Sequence, residues 1–389
     1  VNEDANADDQ RHDLILIGAG VAGSRLLAHL LASAWRTRRI LVVERDPPGR
    51  HEHLLAFWRH RSSALDPLIE HRWTTLRVHD IDAGEQLRPL VEEQYVATRR
   101  SRVTAVPDPH PANLLWLTGE VLERIDGPEA AAVRVGERWY HATWVFDSRR
   151  AKPGPATVRL VQRFTGWVVE SSDLRQDLGV VTLFDFRSEQ AAGIAFVYVL
   201  PLAPGRALVE HVFTSTADVT PPEPAEQLAN YVHTYLGLAA GTYHIAAREQ
   251  GSTWLSDARH PRRVGQRICT IGGRGGRLKP SSGYALTRIE ADSAAIVRSL
   301  TRHGHPFRLP RERRLYRWLD AVFLWVLARE PARAPAIFAA LMRRPEGTLR
   351  LLDERPRVRD LLRLLWVLPT WVFLRAVWRR AWARRRCEA

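Results

Sequence analysis

The sequence predicts an α/β protein in three parts: a parallel-sheet core, an antiparallel sheet inserted into it, and a helical C-terminal end. Three observations predict it. Over residues 13–46 an apolar run, a glycine-rich turn, a helical pattern and a second apolar run follow one another. Strand-like runs separated by turn residues fill 158–215. From Arg313 onward the pattern is helical and is cut into short pieces by Pro331, Pro335, Pro345, Pro356 and Pro369.

Residues 1–12 are acidic and polar without an apolar core, so they are expected to form a flexible leader and not a signal peptide. Asp13–Ile17 reads as a strand buried on both faces, Leu26–Ser33 as helix, and Ile40–Glu44 as a second buried strand. Strands are expected after Arg99 and over Trp139–Phe146. The inserted sheet is read in 158–169, 180–186, 194–202 and 206–215, followed by a helix over Ala225–Ala239. A short strand at 266–272, a glycine cluster and a helix over Thr287–Leu300 return the chain to the core. The expected divisions are therefore 13–150 with 265–302 for the core, 151–264 for the inserted sheet, and 303–389 for the helical end.

Gly18, Gly20 and Gly23 form GxGxxG between the first strand and its helix. The first glycine permits a tight turn and the second lets the backbone approach a pyrophosphate. The third allows close helix–strand packing. Glu44 ends the second strand 21 residues after Gly23, where a carboxylate binds both hydroxyls of an adenosine ribose. A second cluster, Gly272, Gly273, Gly275 and Gly276, precedes PSSGYALTRI, which contains Gly283. Two nucleotide-contacting elements about 250 residues apart favour FAD, which spans both, over NAD, and define a Rossmann-type FAD-binding domain. Asp147, at the end of a strand near this site, is a further candidate contact; with Arg149 it equally fits a structural ion pair.

Of 57 basic residues all but Lys152 and Lys279 are arginine, which reads as compositional bias more than as nucleic-acid binding, and no nucleic-acid partner is expected. Two cysteines exclude a disulfide framework and a cysteine-based zinc site, and suit a reducing cytoplasm; no metal is expected. Residues 357–389 hold nine arginines against Asp360 and Glu388, interleaved with Trp366, Trp371, Trp378 and Trp382. The longest uncharged run there, Leu364–Leu374, is broken by Pro369 and too short to span a bilayer. The end reads either as an interfacial anchor on an anionic membrane or as ordinary helices with a solvated arginine face.

Several blocks, in order across nearly the whole chain, resemble the lycopene cyclase family of FAD-dependent proteins. DLILIGAGVAG resembles its opening. Phe57 and Trp58 stand where it has T-W-x-F-[HW], with Trp73 following. VFDSR resembles its V-I-D-x-R, and QRFTGW its Q-x-F-x-G-W. FDFR, FVYVLPL, ALVEHVFTS and KPSSGY also resemble family blocks at matching spacing. The resemblance implies reduced FAD, with NAD(P)H as indirect reductant, and no net redox change. An acid protonates a terminal double bond of an acyclic polyene, the next double bond attacks the cation, and proton loss completes a six-membered ring. It places Glu210 as the general acid or its essential partner, consistent with the raised pKa of a carboxyl in an apolar pocket. Asp185 and Arg187 either position that acid or form a structural pair. Phe57, Trp58, Trp167, Tyr198 and His211 are candidates for the substrate pocket, where aromatic faces stabilise a cation.

There are departures from the family pattern. His211 replaces a second acid and Val212 a threonine, Leu54 and Leu55 replace the Thr-Trp start, and REQGSTWLSD lacks the Ile-Pro of E-x-G-x-I-P. These bear on the substrate more than on the fold. The expected function is conversion of lycopene to β-carotene through γ-carotene by a peripherally membrane-associated protein. Alternatives are cyclisation of another polyene or terpenoid, a redox FAD enzyme, and a basic binding protein with a vestigial nucleotide fold.

Overall fold

A computed structural model of the chain describes residues 11–46, 52–59, 62–81, 84–105, 111–150, 154–190, 193–352, 354 and 356–387. Of the expected leader, residues 1–10 lie outside the described residues, and Arg11 and His12 already belong to the first strand.

The core sheet is built on β1 (Arg11–Ile17), which pairs in parallel with β2 (Ile40–Glu44) on one side and β11 (Arg138–Asp147) on the other. β8 (Leu114–Thr118) extends it beyond β2, and β18 (Ile268–Thr270) with β17 (Arg263–Val264) beyond β11. β9 (Val121–Asp126) and β10 (Ala131–Val135) form a meander paired onto β11. The apolar runs are buried on both faces, as parallel strands require. Leu14 and Leu16 pack under α1 (Val21–Leu31) and α4 (Leu286–His303), while Ile15 and Ile17 pack with Val121, Val133 and Ala131 of the meander.

The second sheet has the order β16-β12-β15-β14-β13-β5-β6. Its members are β5 (Thr75–Asp80), β6 (Gly84–Pro89), β12 (Arg159–Glu170), β13 (Val180–Asp185), β14 (Ile194–Ala203), β15 (Arg206–Ser215) and β16 (His244–Ser256). All pairings are antiparallel except β5 with β13. β5 and β6 precede residue 150 in the chain, so a single boundary at that residue does not separate the two sheets. β3 (Leu54–Arg59), β7 (Gln94–Arg99) and β4 (His71–Trp73) form a small third sheet. After Arg99, where extended chain is expected, the chain makes a helical turn, α2 (Arg100–Val103). The turn lets Val103 join Phe57, Leu65, Val96 and Leu286 in one buried cluster.

The second sheet is covered on both faces. α3 (Pro224–Leu236) packs Leu228, Tyr231 and Val232 on Trp167, Val169, Val197, Val199 and Val209. The opposite face carries the C-terminal helices α5 (Arg314–Arg329), α6 (Ala334–Met342), α7 (Pro345–Leu352), α8 (Val358–Val367) and α9 (Thr370–Cys387). Val322, Val326, Ile337, Met342 and Val372 there meet Leu76, Val78, Val181, Leu183, Leu200 and Leu208. Because side chains alternate along a strand, residues adjacent in sequence on β12, β14 or β15 belong to different faces. That alternation decides which candidate residues meet.

Candidate functional site

The candidate dinucleotide end forms at the β1–α1 turn. Gly18 has φ +91°, a left-handed value that favours glycine, and a Cβ there would collide with the Ser148 hydroxyl. A Cβ on Gly23 would collide with the carbonyl of Gly18. Gly20, the N-cap of α1, is open: a Cβ there would meet only Arg100 Nη2, at 3.8 Å. Two glycines are thus required by packing, and one leaves the helix N-terminus approachable to an anion. Glu44 accepts hydrogen bonds from the backbone N–H of Ala19 and of Asp46, at 3.0 Å for the latter. Its carboxylate therefore sits beside the glycine turn with lone pairs to spare for a ribose.

The second glycine cluster lies against the first. A Cβ on Gly272 would stand 2.6 Å from Ala22 Cβ of α1, and Gly273 has open space around it. Gly283, φ +77°, lies beside Gln162, Thr253 and Leu255, so the PSSGY loop bridges the core to β12 and β16. Asp147 is fully buried at the end of β11, where its carboxylate receives Arg124, Arg149 and, at 3.4 Å, Arg274. Burial pushes its pKa upward, but hydrogen bonds and charge from Arg149, with the charge of Arg274, hold it below the ordinary carboxylate value. Its oxygens organise arginines at the edge of the dinucleotide end.

The other end is one rung across four strands. Glu249 of β16 and Glu210 of β15 both stand opposite Gly166 of the intervening β12, and Tyr198 of β14 stands opposite Glu210. Lacking a side chain, Gly166 lets the two carboxyls hydrogen-bond over it. Tyr198 donates a hydrogen bond to Glu210, and the backbone N–H of Leu54 donates to Glu249 Oε2 at 3.1 Å. Burial first, then the hydrogen bond and negative charge of Glu249, push the Glu210 pKa well above the ordinary value. Burial also raises that of Glu249. On the next rung of the same face Phe164 and Phe196 flank Val212. The Tyr95 and Tyr284 hydroxyls meet at 3.3 Å, and the Trp58 ring packs tilted against Tyr95 with centroids 4.6 Å apart. The Trp58 indole nitrogen faces the Tyr284 hydroxyl at a geometry short of a good hydrogen bond.

The structure therefore brings Glu210, Tyr198 and Trp58 to one side and places the other candidates elsewhere. Phe57 points away from Trp58 into the cluster with Leu65 and Val96. Trp167, next to Gly166, lies under α3, where Arg248 covers its ring at 5.1 Å. His211, next to Glu210, is on that face too; its Nε2 is buried without a hydrogen-bond partner among the described residues, and burial pushes its pKa down to about 4. Asp185 is fully buried and binds Arg187 (2.9 and 2.5 Å) and the Tyr231 hydroxyl of α3 (2.7 Å), while Arg187 stacks over Tyr235 at 4.0 Å. Asp185 and Arg187 thus tie α3 to the sheet, on the face opposite Glu210. Sequence reasoning missed Glu249, Tyr95 and Tyr284. Glu249 sits in the E-x-G block, but the run AAREQG has no apolar alternation to mark a strand. Among the described residues no group of His, Cys, Asp and Glu could hold a metal ion.

Solved structures define the class of fold. A geranylgeranyl bacteriochlorophyll reductase-like protein from Thermoplasma acidophilum is 13% identical with a TM-score of 0.58, over 92% of this chain and 96% of its own. The p-nitrophenol 4-monooxygenase PnpA from Pseudomonas putida is 14% identical with a TM-score of 0.63, over 91% and 99%. A flavin-dependent brominase is 13% identical with a TM-score of 0.58, over 96% and 100%. The fold is therefore the Rossmann-type α/β architecture shared with these enzymes, with a helical C-terminal part.

Within that class the chain belongs to the lycopene cyclase protein family, whose model matches residues 13–377. Its sequence is 26% identical to lycopene beta-cyclase from Pantoea ananas over 287 residues, 71% of each chain.

Proposed function

We propose that the chain is an FAD-dependent, non-redox cyclase that closes terminal six-membered rings on an acyclic polyene, converting lycopene to β-carotene through γ-carotene. One observation carries the reading: in a member of this family, a buried carboxyl, Glu210, has its pKa pushed well above the ordinary value by burial and by Glu249, and faces an aromatic, apolar surface. A protonated carboxyl in such surroundings is a general acid. Glu210 gives its proton to the terminal double bond, and the adjacent double bond attacks the cation to form the ring bond. A proton then leaves a ring carbon, so the product is an isomer of the substrate. The π faces of Tyr198, Phe164 and Phe196 favour the cationic stage.

The fitted cofactor is FAD. Gly18, Gly20 and Gly23 would take its pyrophosphate and Glu44 its adenosine ribose, with Gly272 and Gly273 alongside. Bound in reduced form it would supply negative charge that favours a cationic stage, with NAD(P)H as the indirect reductant.

The substrate dissolves in lipid, and we assign the chain to the cytoplasmic side of a membrane surface. No helix among the described residues is long and apolar enough to cross a membrane. α8 and α9 instead expose Trp366 (91%), Trp371, Leu374 and Trp378 (65%) near Arg375 and Arg379, a composition suited to an anionic interface.

The test is expression in a lycopene-accumulating bacterial host with chromatography of the pigments. Appearance of γ- or β-carotene is the expected result. Unchanged lycopene beside flavin-loaded protein would overturn the substrate. Oxygen or NAD(P)H consumed in proportion to product would overturn the non-redox reaction.

A further inference from the structure

Among the described residues, the side chains that hydrogen-bond to Glu210 are Glu249 and Tyr198. The Tyr198 phenol holds its proton more tightly than an ordinary tyrosine, because burial comes first and the nearby carboxyls add to it. It can donate a hydrogen bond and cannot accept a proton near neutrality. Glu249 differs. It receives hydrogen bonds from the Glu210 carboxyl and from the Leu54 N–H, both of which favour its ionised form. Burial raises both carboxyls, and in contact over Gly166 they share a proton; the fixed backbone donor on Glu249 suits it to the acceptor's part of the pair.

Ring closure needs both functions within a small space. In the six-membered ring the carbon that gains a proton and the carbon that loses one are separated by a single ring atom. Two carboxyls that converge over Gly166 can serve both carbons without the substrate moving between steps. We propose that Glu249 is a second catalytic carboxyl, the base that takes the proton lost from the ring. This deepens the cyclase reading above and rests on it.

The step balances. Glu210 transfers its proton to the terminal alkene carbon and becomes a carboxylate. The internal double bond supplies the electron pair for the new carbon–carbon bond. Glu249 removes a proton from the ring carbon, whose C–H electrons form the ring double bond. The proton then passes along the Glu249–Glu210 hydrogen bond and restores the starting state. No oxidant, reductant or external proton is consumed. Of the other titratable groups near the pair, the charge of Glu52 raises the Glu249 pKa, and the charge of Glu210 adds to the burial that raises the Tyr95 phenol.

The test compares wild type, Glu210→Gln, Glu249→Gln and Glu249→Asp as flavin-loaded full chains. The expected loss for Glu249→Gln is roughly 10²–10⁴-fold in kcat with KM little changed, partly restored in Glu249→Asp, which keeps a base. A second readout needs no turnover. The infrared carbonyl band of a buried protonated carboxyl should be present at neutral pH and absent in Glu210→Gln. In Glu249→Gln it should titrate away at lower pH, because the neighbouring negative charge is gone. A Glu249→Gln chain that cyclises at the wild-type rate, or keeps the wild-type titration of that band, would overturn the second-carboxyl role alone. A wild-type chain that forms no ring would instead overturn the cyclase reading, and the infrared result would still decide whether the pair shares a proton.

Discussion

Glu210 and Glu249 belong to strands that are not paired with each other; they meet because both stand opposite Gly166 of the strand between them. A Cβ at that position would lie 2.9 Å from Glu249 Cγ and 3.1 Å from Glu210 Oε2. The buried Leu208 Cδ1 would lie at 3.0 Å as well; all three neighbours are side-chain atoms, so Gly166→Ala is expected to fold, at a cost of about 1–3 kcal/mol for the overpacking. The methyl group would part the carboxyls, let the Glu210 pKa fall, and lower cyclisation roughly tenfold, less than the roughly 10²–10⁴-fold expected for removing an acid outright. Turnover measured beside urea unfolding checks both numbers. Wild-type turnover in Gly166→Ala would show that the contact between the carboxyls is dispensable.

The raised pKa of Glu210 also sets a direction for stability. The unfolded chain loses this proton near the ordinary glutamate value of about 4.3, whereas the folded chain keeps it to higher pH. Stability from this group is therefore full below that value and declines as pH rises toward the folded pKa. Glu210→Gln removes the decline while keeping the shape of the side chain. The variant should be inactive yet more stable than wild type at about pH 8, with the gap closing toward about pH 4. Thermal melts across that range give the sign, and a variant less stable than wild type at the alkaline end would contradict it.

Asp185 is expected to act on stability and not on the acid. Tyr231→Phe removes the 2.7 Å hydrogen bond from α3 to a fully buried carboxylate. The expected cost is about 1.5–3 kcal/mol in urea unfolding. Because Asp185 lies on the face opposite Glu210, kcat should stay within about twofold, a change of under about 0.5 kcal/mol in barrier. A large fall in kcat with unchanged stability would tie Asp185 to the chemistry.

The contrast between Asp185 and Glu210 shows what the sequence made legible. The β1–α1–β2 unit is local, and its apolar runs, glycines and Glu44 stand in order along the chain, so its elements could be read. The strands of the second sheet were legible for the same reason. Their faces required strand alternation to be carried through: Gly166 and Trp167, or Glu210 and His211, are neighbours in a motif and strangers in space. Long-range pairing left no local mark. Nothing in residues 75–89 signals that β5 will pair in parallel with β13, and nothing in AAREQG signals that Glu249 will meet a residue on a strand two places away.

The C-terminal helices make a separate prediction. Trp366, Trp371, Leu374 and Trp378 are exposed on α8 and α9, with Trp371 partly shielded by Arg333 at 4.5 Å from its ring. The full chain should sediment with vesicles containing anionic phosphatidylglycerol and release as salt rises. Each of Trp366→Ala and Trp378→Ala should weaken partitioning about tenfold or more, given about 1.5–3 kcal/mol for burying a large apolar side chain. Equal recovery with vesicles of wild type and the variant carrying both Trp366→Ala and Trp378→Ala would remove these helices from the interface.

His211 makes the last prediction, on the acid side. Its ring is buried, its Nε2 has no hydrogen-bond partner among the described residues, and burial pushes its pKa from 6.5 down to about 4. In the unfolded chain it takes a proton near the ordinary value, so as pH falls below about 6.5 the unfolded state gains a charge that the folded state refuses. The stability lost between about pH 6.5 and about pH 4 is on the order of 3 kcal/mol if the whole difference is expressed. Val197 and Thr165 are its cross-strand neighbours, so an apolar replacement is compatible with the site. His211→Leu should therefore flatten the acid limb of the stability profile and leave the neutral plateau close to wild type. Urea midpoints measured at half-unit pH steps would show this, and an acid limb unchanged in the variant would mean that another group, not His211, carries the proton uptake.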